Sequence, residues 1–172
     1  MDINTLNEAI QTVRGRNESL FSRLLGRVID ACLYLAAFLV PLWFLPSTLD
    51  VLELNKQTLF VVITMVALIA WLGKSILDKQ FSMSRSWIHL VVAVFAGGYL
   101  VTSLFSVDRY MSLVGNFGQM QWSFTTIAAF AVFYFILVNT VKGTAKFYHL
   151  ILAFLSASAI AAVYGLFQIF DI

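Results

Sequence analysis

Apolar side chains fall into five long runs separated by short polar breaks. The runs cover about residues 28–45, 56–77, 87–105, 123–141 and 147–170. Each is near the roughly 20 residues that a helix needs to cross about 30 Å of hydrocarbon at 1.5 Å per residue. Backbone groups in hydrocarbon must pair within their own segment, so the runs predict helices. The expected fold is all-α, a polytopic membrane bundle of five transmembrane helices.

Residues 1–27 follow a different pattern. Ile3, Leu6, Ile10 and Val13 recur at intervals of three and four, with Asp2, Asn4, Asn7, Glu8 and Gln11 between them. This spacing puts the apolar residues on one helical face. Gly15 and Asn17 interrupt it, and Leu20, Phe21, Leu24 and Leu25 resume it among Arg16, Arg23 and Arg27. The expectation is an amphipathic arm on the cytoplasmic leaflet with its arginines near lipid phosphate. A frayed tail is the alternative. The chain thus divides into an arm, 1–27, and a transmembrane helical region, 28–172.

The breaks between runs are short. Pro46-Ser47-Thr48 forms a turn, followed by an acidic link with Asp50 and Glu53. The first run is too long for a signal-peptide core and no small-x-small site follows it, so it stays in the mature protein. The third run contains the flexible pair Gly97-Gly98. Lys142, Gly143 and Lys146 form a tight basic turn. The fifth run carries Ala153, Ala157, Ala161 and Gly165 at intervals of four, a small-residue ridge that lets a neighbouring helix approach closely. The chain stops at Asp171-Ile172, where the fifth helix should reach the outer surface. That end predicts the N-terminal portion of a longer polytopic protein, whose remaining helices would be partners of these.

Charge sets the expected orientation. Arg14, Arg16, Arg23, Arg27, Lys74, Lys79, Arg85, Lys142 and Lys146 fall on one side, and only Lys56 and Arg109 on the other. The positive-inside rule places the N-terminus in the cytoplasm and, with five spans, the C-terminus outside. Trp43, Trp71, Trp87 and Trp122 lie at or near the ends of runs, where indole rings favour the interface.

Composition agrees with a lipid partner. The 172 residues are 60% hydrophobic and 12% charged, too few charges to cover a water-facing surface. Neither a net charge of +2 nor any basic block implies nucleic acid. The single Cys32 lies in an apolar run and excludes a disulfide within the chain. His89 and His149 lack a second ligand at metal spacing. No phosphate-cradling glycine loop, H-E-x-x-H or G-x-S-x-G occurs, and no cofactor is expected. Asp30, near the start of the first run, is one helical turn from Arg27, and the expectation is that they pair.

Ser106 to Trp122 is the longest polar interruption. Here Arg109 is a candidate cation for a phosphate or pyrophosphate headgroup. Tyr110, Asn116, Gln119 and Gln121 would offer hydroxyl and amide groups to a sugar. Lys56, opening the second run on the same side, is a second candidate cation. Gln168, one turn from Tyr164 near the outer end of the fifth run, needs a polar partner. The plainer alternatives are an Asp108–Arg109 pair and a Lys56 that snorkels to the interface.

Three segments, L-E-L-N-K at 52–56, L-F-S-V-D-R-Y-M-S-L-V-G at 104–115 and Y-G-L-F-Q at 164–168, sit in this succession of runs. From about residue 35 onward the chain resembles the N-terminal part of the O-antigen ligase family, which includes O-antigen polymerases. The resemblance implies an integral-membrane glycosyltransferase of the bacterial inner membrane. Such an enzyme takes a glycan from a polyprenyl-diphosphate carrier at the outer face. It also implies about twice as many spans, with the main catalytic arginines and histidine in a large outer loop beyond residue 172. No residue of this chain is therefore expected to be catalytic. The other reading is a small non-enzymatic helical membrane protein, such as an assembly subunit or a transporter piece.

Overall fold

The computed structural model describes residues 3–43, 54–78, 86–115 and 123–169, all helix or short connection, with no strand among them. Among the described residues six helices follow in order: α1 (Ile3–Leu42), α2 (Leu54–Asp78), α3 (Trp87–Leu104), α4 (Arg109–Val114), α5 (Phe124–Thr140) and α6 (Thr144–Ile169). Among the described residues four stretches are long and apolar enough to cross a membrane: Leu20–Leu42, Asn55–Asp78, Trp87–Leu104 and Thr144–Phe167. The fourth expected span, 123–141, forms α5, an apolar helix of 17 residues. At 1.5 Å per residue it is about 25 Å long, at the short limit for a spanning helix. These helices point to a multi-pass membrane protein.

Their exposure supports this. Phe38, Val62, Ile69, Val94, Phe95, Phe154 and Leu155 all face outward, along with most other large apolar residues of α3 and α6. A water-soluble monomer does not carry so continuous an apolar surface.

Local chemistry explains where the shorter helices start and stop. Ser86 opens α3 by accepting a hydrogen bond from the Ile88 N–H at 3.4 Å. Asp108 opens α4, its carboxylate accepting from the Met111 N–H at 3.1 Å. Gly115 closes α4 at φ 93°, a left-handed backbone that favours glycine, while its N–H reaches the Met111 carbonyl at 2.9 Å. Gly143, at φ 106°, makes the turn into α6.

Two expectations change. The helix does not stop at Gly15 or Asn17, so the arm and the first span are one 40-residue helix. One glycine costs about 1 kcal/mol in a helix interior, too little to end it without a competing cap. The segment 106–122 is not only a connection, because an Asp cap and a closing glycine build α4 within it. α3 runs through Gly97-Gly98 as a single helix, as the one apolar run 87–105 predicts.

The core lies between α1, α2 and α5. Ile29, Cys32, Leu33, Ala67, Ala70 and Ile136 are buried together, with Trp71, Phe133 and Leu150 packed against them. Small side chains at Ala67 and Ala70 let α2 sit close on α1, as van der Waals packing in lipid requires. α6 packs on α1, and α3 packs on α5 and α4. One end of the bundle gathers Lys74, Lys142 and Lys146 and is here called the basic end. α4 lies at the opposite end, where the Thr125 hydroxyl donates to the Leu113 carbonyl at 2.8 Å.

Candidate functional site

The opposite end holds a cleft of about 410 Å³ between α1, α2, α5 and α6. Its walls are apolar: Ala36 and Ala37 from α1, Phe60 from α2, Phe130 and Phe133 from α5, and Phe154 from α6. Phe60 orders the wall, its ring centroid 4.7 Å from that of Phe130 and 5.1 Å from that of Phe133. Ridge spacing on α2 and α5 brings these rings together, and tilted aromatic pairs add about 0.5–1.5 kcal/mol beyond burial. Pro41 also lines the cleft, one residue before α1 ends.

Polar groups are confined to one part of its lining: Lys56 and Gln57 in the first turn of α2, and Thr126 in the first turn of α5. The Gln57 amide donates to the Thr126 hydroxyl. Thr126 also meets the buried Ser123 hydroxyl at 3.1 Å. Gln57 and Thr126 line a neighbouring pocket of about 150 Å³ together with Val114 and Ser123, which joins the cleft to the end of α4.

Of the residues singled out from sequence, Lys56 enters this cleft and is half-buried. Arg109 and Tyr110 sit on the exposed surface of α4 and line neither cavity. Among the described residues Arg109 makes no hydrogen bond or ion pair, because Asp108 turns its carboxylate to the helix cap. Asn116, Gln119 and Gln121 lie outside the described residues, as does Trp122, and for Gln168 only its place in α6 is described. Ala157 is fully buried, whereas Ala153, Ala161 and Gly165 are half-buried. A Cβ at Gly165 would meet nothing within 4 Å.

No protein-family model, curated protein or solved structure matches this chain.

Several polar residues group in ways the sequence did not indicate. Gln57 and Thr126 are 69 positions apart, and each reads singly as a polar residue at a helix start. Asp30 does not pair with Arg27. Its carboxylate takes both contacts from Lys146 Nζ, at 2.8 and 3.0 Å, clamping α1 to α6. The Lys146 ammonium reaches Asp30 from the adjoining helix and engages both of its carboxylate oxygens. His89 is buried, with Nδ1 3.0 Å from the Tyr134 hydroxyl, tying α3 to α5. His149 directs Nδ1 to the Ala145 carbonyl at 2.7 Å. Among the described residues no three His, Cys, Asp or Glu side chains gather as metal ligands.

The basic end holds a second cavity, about 300 Å³, lined by Lys74, Lys142, Lys146, Asp30 and Asp78 with neutral polar groups between them.

Proposed function

We propose that this chain is the carrier-binding membrane portion of an O-antigen ligase-like glycosyltransferase. The lipid it holds is a polyprenyl diphosphate bearing a glycan. The observation that carries the proposal is the division of the cleft into an apolar length and a cationic, amide- and hydroxyl-bearing part. A branched hydrocarbon chain suits the phenylalanine and alanine walls. Lys56, with Gln57 and Thr126 beside it, suits the diphosphate. At about 410 Å³ the cleft is within the roughly 300–1,000 Å³ typical of small-ligand pockets. The three short sequence segments resembling the family support the same reading, and so does the charge asymmetry, which under the positive-inside rule favours this end outside. Arg109, exposed on α4 at the same end, would be a second cation for the headgroup. In this reading five helices cross the membrane, α5 as the shortest, and residues 3–19 form the cytoplasmic part of α1.

The experiment is ligand binding by the chain in nanodiscs, comparing a polyprenyl diphosphate with the uncharged polyprenol. Lys56→Gln should weaken the diphosphate roughly 10-fold, since a charge-assisted contact contributes about 1.5–3 kcal/mol, and leave polyprenol unchanged. Ala37→Phe, which fills the apolar part, should weaken both. Unaltered diphosphate binding in both variants would remove the proposal and leave the cleft a lipid-filled packing gap.

A further inference from the structure

At the basic end four helices enclose a polar cavity that the carrier reading does not use. Lys74 comes from α2, Lys142 from the turn after α5, and Lys146 from the first turn of α6. Asp30 neutralises Lys146. Asp78 faces the cavity too, with its Oδ1 accepting from the Ser22 hydroxyl at 2.6 Å. Lys74 and Asp78 are one turn apart on α2, yet among the described residues neither Lys74 nor Lys142 forms an ion pair. Lys74 instead lies over Gly26, its Nζ 3.2 Å from where a Cβ would be. Two ammonium groups without an ion pair therefore oppose one carboxylate, Asp78, whose bond is to the neutral Ser22 hydroxyl. The N-terminus of α6, with its unpaired N–H groups, adds partial positive charge beside Lys142 and Lys146. Ser75, Asn139 and Thr140 supply neutral hydrogen-bonding groups.

We propose that this cavity is a binding site for a phosphate group, either the phosphodiester of an acidic phospholipid or a soluble phosphate. Basic pockets between membrane helices hold acidic headgroups by this chemistry. The cavity lies at the ends of α2 and α5 and the start of α6, level with the breaks between apolar runs, which is the depth of a headgroup. Its volume exceeds what a phosphate fills, so the phosphate can enter without moving the Asp30–Lys146 clamp. The rival explanation is that Lys74 and Lys142 only complement the carbonyl ends of α2 and α5.

The test is thermal unfolding of the chain in nanodiscs of phosphatidylcholine, with and without phosphatidylglycerol, and of phosphatidylcholine with added inorganic phosphate. Phosphatidylglycerol should raise the Tm of the natural chain. Lys74→Gln with Lys142→Gln should lose that increment, with the apparent affinity roughly 10- to 100-fold weaker. Arg14→Gln with Arg16→Gln, which removes the same charge elsewhere, should retain it. Asp78→Asn should enlarge it. A Tm rise with inorganic phosphate alone would assign the site to a soluble phosphate. Ser75→Leu keeps every charge and fills the cavity, so it decides the matter if the lysine variant does not fold. An increment as large in the lysine variant, or in Ser75→Leu, as in the natural chain would overturn the proposal.

Discussion

At the scale of single residues, charged groups are used to join elements. Asp30 and Lys146 are 116 positions apart and meet with both carboxylate oxygens engaged. Their side chains remain 31% and 45% exposed, so their pairing contributes about 0–1 kcal/mol. A double-mutant cycle with Asp30→Asn and Lys146→Gln, followed by detergent-induced unfolding, should give a coupling in that range that shrinks with salt. Asp108 and Arg109 separate in the same way. Asp108→Ala should remove the α4 cap, about 1 kcal/mol of local helix stability, and raise amide exchange at Met111. Arg109→Ala should leave that exchange unchanged and weaken polyprenyl-diphosphate binding, and Arg109→Lys should restore it only in part, since an ammonium lacks the planar fork. Unchanged binding in Arg109→Ala would leave Lys56 as the only proposed cation.

At the scale of elements, small residues decide where helices come close. Ala67 and Ala70 are buried against α1, and the would-be Cβ of Gly73 lies 3.4 Å from Leu25. On α6 only Ala157 of the four-residue ridge is fully enclosed. Ala157→Leu should therefore overpack the α1–α6 contact and destabilise by roughly 1–3 kcal/mol, lowering Tm in detergent. Gly165→Ala has open space and should not lower it. If both variants unfold at the temperature of the natural chain, α6 does not depend on this ridge for its place on α1. The ridge was legible from the spacing of alanines along 153–165, but which of its members meets a neighbour was not. Likewise α4 was hidden, because a helix of six residues has too little periodicity to register, although Asp108 and Gly115 are recognisable start and stop residues.

At the scale of the whole molecule, parallel and antiparallel contacts define two ends. α1 and α6 run side by side in the same direction, held level by Asp30 and Lys146, and α2 and α5 do so through Gln57 and Thr126. This separates the basic cavity from the apolar cleft along the bundle axis. Single cysteines in a Cys32→Ala background test which end is outside. With an impermeant thiol reagent, Val107→Cys should label in intact cells and Thr144→Cys only after permeabilisation. The opposite result would reverse the orientation and remove the outer-face function with it.

The sequence alone determined that the chain is helical and where most helices lie. Those properties depend on continuous apolar runs, and hydrocarbon leaves backbone groups no partner outside their own helix. It also determined the charge difference between the two ends, since lysines and arginines are counted without knowing the packing. It could not decide which side of each helix faces a neighbour. Lipid is as apolar as a protein interior, so α3, α5 and α6 are apolar all round and carry no stripe to mark the packed face. For the same reason the phenylalanine-walled cleft, the Gln57–Thr126 contact and the Asp30–Lys146 clamp were decided only by tertiary structure. Each joins residues from separate helices, and only the choice of helix neighbours brings them within reach.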